Sequence, residues 1–294
     1  MAKTLLFIVN PRAGRTRTPV PFFDIVSAFG EEGWLLSVRQ TSGRGDATRF
    51  IVQDGAHFDA VVCCGGDGTL NEAVNGILQL PSPPPLGYIP CGSTNDFAAS
   101  LRLPSQPMEA ARQIMASRGE LLDVGLFNQR PFVYVASFGA FTSASYSAPQ
   151  SVKNQLGHLA YILQGVKDLA SLRPYHAVIT TEEETFSGDF LFGAVTNATS
   201  VGGLMKLREE LVQLDDGQFE LFLVPNPKTV AELQILIRSL LTQDYTGEGF
   251  IFRHTSRLSV DCQDQFPWAL DGEFDPGARK VEISNEHKKL NFLR

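Results

Sequence analysis

Residues 58–75, FDAVVCCGGDGTLNEAVN, are the stretch on which the fold turns. Residues 58–64 are a short, nearly continuous apolar run rich in valine, the pattern of a strand buried on both faces. The run stops at Gly65-Gly66-Asp67-Gly68. Leu70, Ala73, Val74 and Ile77 then recur at helical spacing, and Thr69 and Glu72 stand three apart as a capping box that would open the helix. The unit reads strand, glycine turn, helix. Three glycines in four residues allow positive φ and gather several N–H groups into one concavity beside the positive end of a helix dipole. A lone glycine turn is more often only a tight connection, but this arrangement is also a site for phosphate. Asp67 in such a loop repels phosphate unless a metal ion or a donor on the ligand pairs with it, and a nucleotide carrying magnesium supplies both.

Working outward, residues 3–9 are a first apolar strand ending at Asn10-Pro11-Arg12-Ala13-Gly14, and Phe22, Phe23, Val26 and Phe29 follow as a helical stripe. Residues 34–40 alternate as a second strand and end at Thr41-Ser42-Gly43-Arg44-Gly45-Asp46, before a helix with Ala47, Phe50 and Ile51. A fourth strand at 86–89 ends at Pro90-Cys91-Gly92-Ser93-Thr94-Asn95-Asp96, and again a helix follows. Strand and helix alternate four times, which predicts a parallel sheet with helices on both faces. In such a sheet the strand-to-helix loops all emerge at the carboxyl edge, where ligands bind. Those four loops together are enriched in glycine, hydroxyl residues and arginine, so their convergence predicts a nucleotide site.

The alternation stops after a helix at 108–117 and a strand at 121–127. Strand-like runs at 132–138, 175–181, 186–195, 219–224, 250–252, 258–262 and 280–283 then dominate, interrupted by helices near 156–172 and 229–241. The expected organisation is an α/β domain over 1–120, with the tail 285–294 returning to it, and a β-rich domain over 121–284.

Composition narrows the function. The formal net charge is −7, and no basic run or zinc-type cysteine spacing is present, which argues against nucleic-acid binding. The apolar start at 5–9 is too short and wrongly followed for a signal peptide, and no apolar run approaches the roughly 20 residues of a membrane span. A cytoplasmic protein is expected. Cys63, Cys64, Cys91 and Cys262 read as small core hydrophobes.

GGDGT resembles a signature shared by diacylglycerol-kinase-type lipid kinases, NAD kinases and phosphofructokinases, and its continuation into Asn71-Glu72 favours the lipid kinases. Further motifs follow in the same order as in bacterial lipid kinases of the diacylglycerol kinase catalytic-domain family. Asn10-Pro11 with Ala13-Gly14 is similar to the first loop, and Gly92-Ser93-Thr94-Asn95-Asp96-Phe97-Ala98 is similar to GTxNDFA with Ser93 for the usual threonine. Residues 157–161 resemble the start of the second-domain helix. Gly202-Gly203-Leu204-Met205-Lys206 with Leu214-Asp215-Asp216-Gly217 is similar to the metal-loop region, and Leu270-Asp271-Gly272-Glu273 to the catalytic LDGE. The chain departs from the family pattern in the charged run 207–210. Where some members carry a lysine after the first loop, it offers Arg12, Arg15 and Arg17.

The resemblance implies an NAD-kinase- and phosphofructokinase-like α/β domain, a C-terminal β-sandwich and an active site in the cleft between them. It implies ATP as phosphate donor and Mg²⁺ as metal. Asn10, Thr41, Gly65, Gly66, Asp67, Gly68, Thr69, Asn71, Glu72, Ser93, Asn95 and Asp96 are then the nucleotide-site residues. Arg12 and Arg15 are candidates for charge neutralisation. A structural magnesium is implied on the Asp216 carboxylate and the carbonyls of Gln213 and Gln218. The acceptor, a lipid hydroxyl at the membrane surface, needs a carboxylate to take its proton, and Asp271 or Glu273 is that base. A kinase of a soluble substrate such as NAD, or a nucleotide- or lipid-binding regulator without catalysis, are the rival readings. A homodimer stays open.

Overall fold

The computed structural model describes residues 2–13, 21–92, 95–139, 173–201, 205–242, 245, 247 and 249–294. The helix expected at 156–172, the motif at 157–161, Gly14, Arg15, Arg17, Ser93, Thr94 and the 202–204 segment lie outside these residues. The chain divides into two compact units, residues 1–124 with 287–294, and residues 125–286.

The first unit alternates β1 (Lys3–Val9), α1 (Phe22–Glu31), β2 (Trp34–Gln40), α2 (Asp46–Asp54), β3 (Ala60–Gly65), α3 (Asp67–Ile77), β4 (Leu86–Pro90), α4 (Asp96–Ser100) and α5 (Pro107–Ala116). Its sheet runs β2-β1-β3-β4 with every pair parallel, and Leu5 stands between Leu36 and Ala60 in register. Leu5, Phe7, Val62 and Cys64 face a cluster with Ile25 and Phe29 of α1 and Ala111 and Ile114 of α5. Leu6, Ile8, Val61 and Cys63 alternate with them on the opposite face and are equally buried, as a parallel sheet covered on both sides requires. The expected α1 stripe is offset. Ile25 and Phe29 are its buried residues, while Phe23 is 82 % exposed, because a helix buries the i, i+4 line and Phe23 lies off it.

The second unit is antiparallel. The chain leaves the first unit within β5 (Glu120–Phe127) and forms β6 (Arg130–Phe132), β7 (Val135–Gly139), β8 (Tyr175–Thr181) and β9 (Thr185–Thr196). The two-residue strands β10 (Ser200–Val201) and β11 (Met205–Lys206) pair with each other. Then come β12 (Phe219–Pro225), α6 (Val230–Thr242), β13 (Ile251–Thr255), β14 (Arg257–Asp261), β15 (Trp268–Leu270), β16 (Glu273–Asp275) and β17 (Lys280–Leu293). Strand order is β16-β15-β7-β9-β8-β14-β17, with β12 between β9 and β13. The first half of β9 pairs with β8 and its second half with β7 and β12. Rings fill the core: Phe138 lies 4.8 Å from Trp268 and 4.9 Å from Phe266, and Phe132 stacks on Phe219 at 5.6 Å. The single strand expected at 132–138 is interrupted at Val133-Tyr134, for a reason that lies in the site described below. The end of β17 returns the chain to the first unit, where Phe292 and Leu293 add a parallel strand beside β4 and the Phe292 ring meets Phe97 edge-on at 5.9 Å. The fold class is thus an α/β unit built on a parallel sheet together with an antiparallel β unit. Among the described residues no helix is long and apolar enough to cross a membrane.

Glu220 is an acid inside this β core. It is 1 % exposed, its Oε2 has no hydrogen-bond partner among the described residues, and His254 Nε2 stands 4.0 Å from its other oxygen. Burial, reinforced by the charge of Asp216, pushes its carboxyl up to about 9. In the unfolded chain the group ionises near its ordinary value of 4.5. A raised folded value contributes stability that is complete below the unfolded pKa and lost as pH rises through the folded one. Glu220→Gln is therefore expected to match wild type near pH 4.5 and to melt higher by a growing margin, about 5 °C or more at pH about 8. Thermal melts across this pH range check it, and a difference independent of pH would assign the effect to packing instead of ionisation.

Candidate active site

In the first unit the carboxyl ends of β1, β3 and β4 are tied together by polar side chains. Asn10, just past β1, donates from Nδ2 to Thr69 Oγ1 at 2.9 Å and accepts the Arg12 N–H on Oδ1 at 3.0 Å. Thr41, just past β2, is 7 % exposed and has its hydroxyl 3.4 Å from the Val9 carbonyl. Glu72 reaches out of α3 to accept the Gly45 and Ala47 N–H groups at 2.7 and 3.1 Å, and its carbonyl accepts from Thr48 Oγ1 at 2.7 Å. The capping box is therefore corrected. The helix α3 begins at Asp67, so Thr69 already lies inside it, and Glu72 serves the start of α2 instead of its own helix. Asn71 is buried and accepts from Asn75 Nδ2 on both its oxygens.

The glycines work by close approach. Positive φ is absent from Gly65, Gly66 and Gly68, contrary to expectation; Gly66 is extended at φ −96°. A Cβ on Gly65 would fall 2.4 Å from Thr69 Oγ1, and a Cβ on Gly92 only 2.6 Å from the Gly66 Cα. Two backbone loops thus touch at Gly66 and Gly92. A Cβ on Gly68 would meet nothing within 4 Å, which leaves room over the first turn of α3. The Thr69 and Leu70 N–H groups donate to the Gly66 carbonyl at 2.9 and 3.1 Å, while the Asp67 and Gly68 amides precede this acceptor and carry the positive end of the dipole.

Asp67 does not wait for a ligand to pair it. Its carboxylate faces the backbone N–H groups of Asp96, Phe97 and Asn95, at the start of α4, which favour its charged form, while Oδ1 is buried without a partner among the described residues. Burial first, and then the charge of Asp96, push its carboxyl up to about 6, with the three amides pulling the other way. Asn95 holds the same loop from a left-handed conformation, φ 53°: its Oδ1 accepts the Gly92 N–H at 2.9 Å and lies 3.2 Å from the Tyr88 hydroxyl. Tyr88, which also lies 3.3 Å from the Gly65 carbonyl, is a strut that the sequence reading passed over as strand core. A phenol in the middle of a buried strand needs a polar partner, and that was the available signal.

In the second unit, LDGE is a two-residue hairpin between β15 and β16. Asp271 and Gly272 have φ 50° and 80°, and Leu270 pairs with Glu273. Asp-Gly is the pair that a type I′ turn of this kind favours. The Asp271 carboxylate is 4 % exposed and accepts the N–H groups of Val133, Tyr134 and Val135 at 2.7, 3.0 and 3.1 Å. These three amides point at a side chain instead of a neighbouring strand, which is why the run at 132–138 breaks. Glu273 pairs with Arg130 NH2 at 3.0 Å, and Asp275 with its NH1 at 2.9 Å. Arg130 was not singled out in the sequence, since one arginine before a proline carries no pattern.

The implied magnesium loop is a turn in which Asp216 Oδ1 accepts the Gln218 N–H at 2.9 Å and the Gln218 carbonyl accepts Asn285 Nδ2 at 3.1 Å. Asp216, Gln213 and Gln218 are exposed. Among the described residues no cluster of three or more His, Cys, Asp or Glu could hold a metal, so a metal here would rest on one carboxylate, carbonyls and water.

The loop contacts separate three glycines. Gly92→Ala is expected to lower the melting temperature most, Gly66→Ala less, since its methyl meets Gly92 only at 3.3 Å, and Gly68→Ala not at all or in the opposite direction. Parallel thermal melts test the order. A Gly92→Ala protein as stable as wild type would refute the loop packing.

The chain is similar to known proteins along nearly its whole length. The model of the diacylglycerol kinase catalytic domain family matches residues 4–127. A diacylglycerol kinase of Bacillus subtilis (strain 168) is 32% identical over 293 residues, covering 99% of this chain and 96% of its own. One from Staphylococcus saprophyticus is 30% identical over 276 residues, covering 93% and 90%. The crystal structure of a diacylglycerol kinase from Bacillus anthracis superposes with a TM-score of 0.80 over 99% of this chain and 97% of that one, at 22% identity, which speaks for the shared fold. With its whole length matched at this identity, the chain belongs to the diacylglycerol kinase family.

Proposed function

We propose that this protein is an ATP-dependent lipid kinase that transfers the γ-phosphoryl group to the hydroxyl of diacylglycerol or a similar lipid. The observation that carries the donor side is the start of α3, where Gly68 leaves open space over the first amides and Asp67 is bound to the chain of the neighbouring loop. Phosphoryl transfer asks a protein chiefly for positioning and charge neutralisation. The amides at Asp67 and Gly68 hold phosphate oxygens, the Asp67 Oδ1 takes a donor from the nucleotide, and Arg12 stands exposed on the adjoining loop to neutralise charge. Asn10, Thr41, Thr69, Asn71, Glu72, Asn95 and Asp96 serve by fixing the loops, and Ser93 is assigned a hydroxyl contact by its motif. A lipid acceptor makes the working enzyme peripheral to a membrane surface.

On the acceptor side, oxygen attacks the γ-phosphorus, its proton passes to a carboxylate, and ADP leaves. Asp271 is the proposed base. Three amides fix its orientation, so it presents the same face to every acceptor. Glu273, held in an ion pair by Arg130, is the alternative. Asp271→Asn is expected to cut transfer of labelled γ-phosphate to diacylglycerol by about a hundredfold or more, with Glu273→Gln within about tenfold of wild type. Asparagine also turns an NH₂ group toward the amide donors and lowers the melting point, so rates are taken per folded protein, with ATP affinity measured alongside. Full transfer per folded Asp271→Asn protein would reduce Asp271 to a turn clamp, and loss only in Glu273→Gln would move the base two residues on.

Magnesium fits the Asp216 turn through that carboxylate and the carbonyls of Gln213 and Gln218, with water completing the set. When bound it supplies positive charge that holds the turn. An ion that binds only the folded chain raises its melting temperature by mass action. Wild type is expected to gain stability in millimolar magnesium and Asp216→Ala to show no gain; equal responses would leave the loop an ordinary turn.

A further inference from the structure

The two loops that meet at Gly66 and Gly92 are each preceded by a cysteine. Cys64 is the second-last residue of β3, and Cys91 follows the last residue of β4. Their sulfurs lie 3.0 Å apart, and the Cys91 thiol is 3.4 Å from the Ile89 carbonyl, within reach to donate to it. The backbone around them is rigid: Gly65 pairs with Pro90 in register, and the Cys91 N–H donates to the Gly65 carbonyl at 2.7 Å. Both thiols are free. A disulfide needs a sulfur separation of about 2.05 Å, so the two sulfurs must close by roughly 1 Å to form one. Cys63 alternates to the opposite face of β3, and Cys262 belongs to the other unit, bonded to the Ala278 carbonyl at 3.4 Å.

We propose that Cys64 and Cys91 form an oxidisable dithiol, closed to a disulfide by a hydroperoxide, that ties the roots of the two loops together. The order of events follows from exposure. Cys64 is 1 % exposed, whereas Cys91 is partly exposed. The hydrogen bond to Cys91, and then burial, push the Cys64 thiol well above its ordinary range, so Cys64 keeps its proton. Cys91 meets the peroxide first: its thiolate sulfur attacks, the O–O bond breaks, and sulfenic acid and hydroxide form. The Cys64 sulfur then attacks the sulfenic sulfur, the S–S bond forms, the S–O bond breaks, and the Cys64 proton leaves with the hydroxyl as water. In sum two thiols and one hydrogen peroxide give one disulfide and two waters, and an external dithiol reverses the step.

The effect on ATP rests on the function proposed above; the disulfide itself does not. The reduced protein is titrated with hydrogen peroxide and read three ways. Peptide mass mapping is expected to find Cys64 linked to Cys91 with the loss of two hydrogens, reversed by dithiothreitol and absent from Cys64→Ser and Cys91→Ser. Amide hydrogen exchange at residues 65–69 is expected to slow in the linked form. ATP affinity by calorimetry is expected to change threefold or more on oxidation in wild type and to stay constant in Cys91→Ser. Oxygen added to Cys91 without a link, or a link through Cys63 or Cys262, overturns the dithiol. A link with unchanged exchange at 65–69 overturns the tie between the loops. Reduced wild type that binds no ATP refutes the nucleotide reading and leaves the linked peptide to decide the dithiol on its own.

Discussion

The first unit depends on one carboxylate set against the N–H groups that open the helix of the neighbouring loop. Asp67 follows β3, and the amides that favour its charge belong to Asp96, Phe97 and Asn95 after β4, so this one group links the two loops that the sheet brings side by side. An acid in this position is expensive, since burial and Asp96 both disfavour its charge. It persists because the surroundings leave it no other arrangement. The Gly66 and Gly92 backbones are in contact, the Cys91 N–H is on the Gly65 carbonyl, and Asn95 and Tyr88 brace the second loop. Strain held by an over-determined frame is typical of a functional site.

The second unit repeats the device with different parts. Asp271 also satisfies three consecutive backbone donors, and a hairpin of only three residues on each side delivers it. Those donors would otherwise be buried without acceptors, at a cost of about 1–3 kcal/mol each. The same contact thus ends one strand, begins the next and fixes a carboxylate. Arg130, at the start of β6, binds the two acids of β16 and so grips the hairpin by that strand.

Much of the architecture was legible. Short apolar runs such as residues 5–9 and 60–64, each closed by turn residues, read as strands covered on both faces, and their alternation with amphipathic helices leads to a parallel sheet. The strands of the second unit were visible from alternating aromatic and β-branched residues. Less legible were β15 and β16, three residues each, because so short a segment has no period to detect. The α1 stripe was misplaced for a related reason: Phe22 and Phe23 are both apolar, and only packing against Phe7 selects the face, with Phe22 6.0 Å from that ring and Phe23 outside.

What the sequence determined by itself was the kind of residue at each loop, because glycine, aspartate and asparagine after a buried strand are demanded by local backbone chemistry, and the motifs they spell carry the family. What only the tertiary structure decided was whom those residues bond. Thr69 and Glu72 have capping-box spacing, yet Thr69 accepts from Asn10 and Glu72 caps α2. Composition suggests the glycines for positive φ, yet Gly66 and Gly92 are set by each other's backbone, 26 residues apart along the chain. Spacing encodes contacts within one helix or turn. Contacts between strands that are adjacent in space but distant in sequence depend on register and sheet order, and those exist only once the chain has folded.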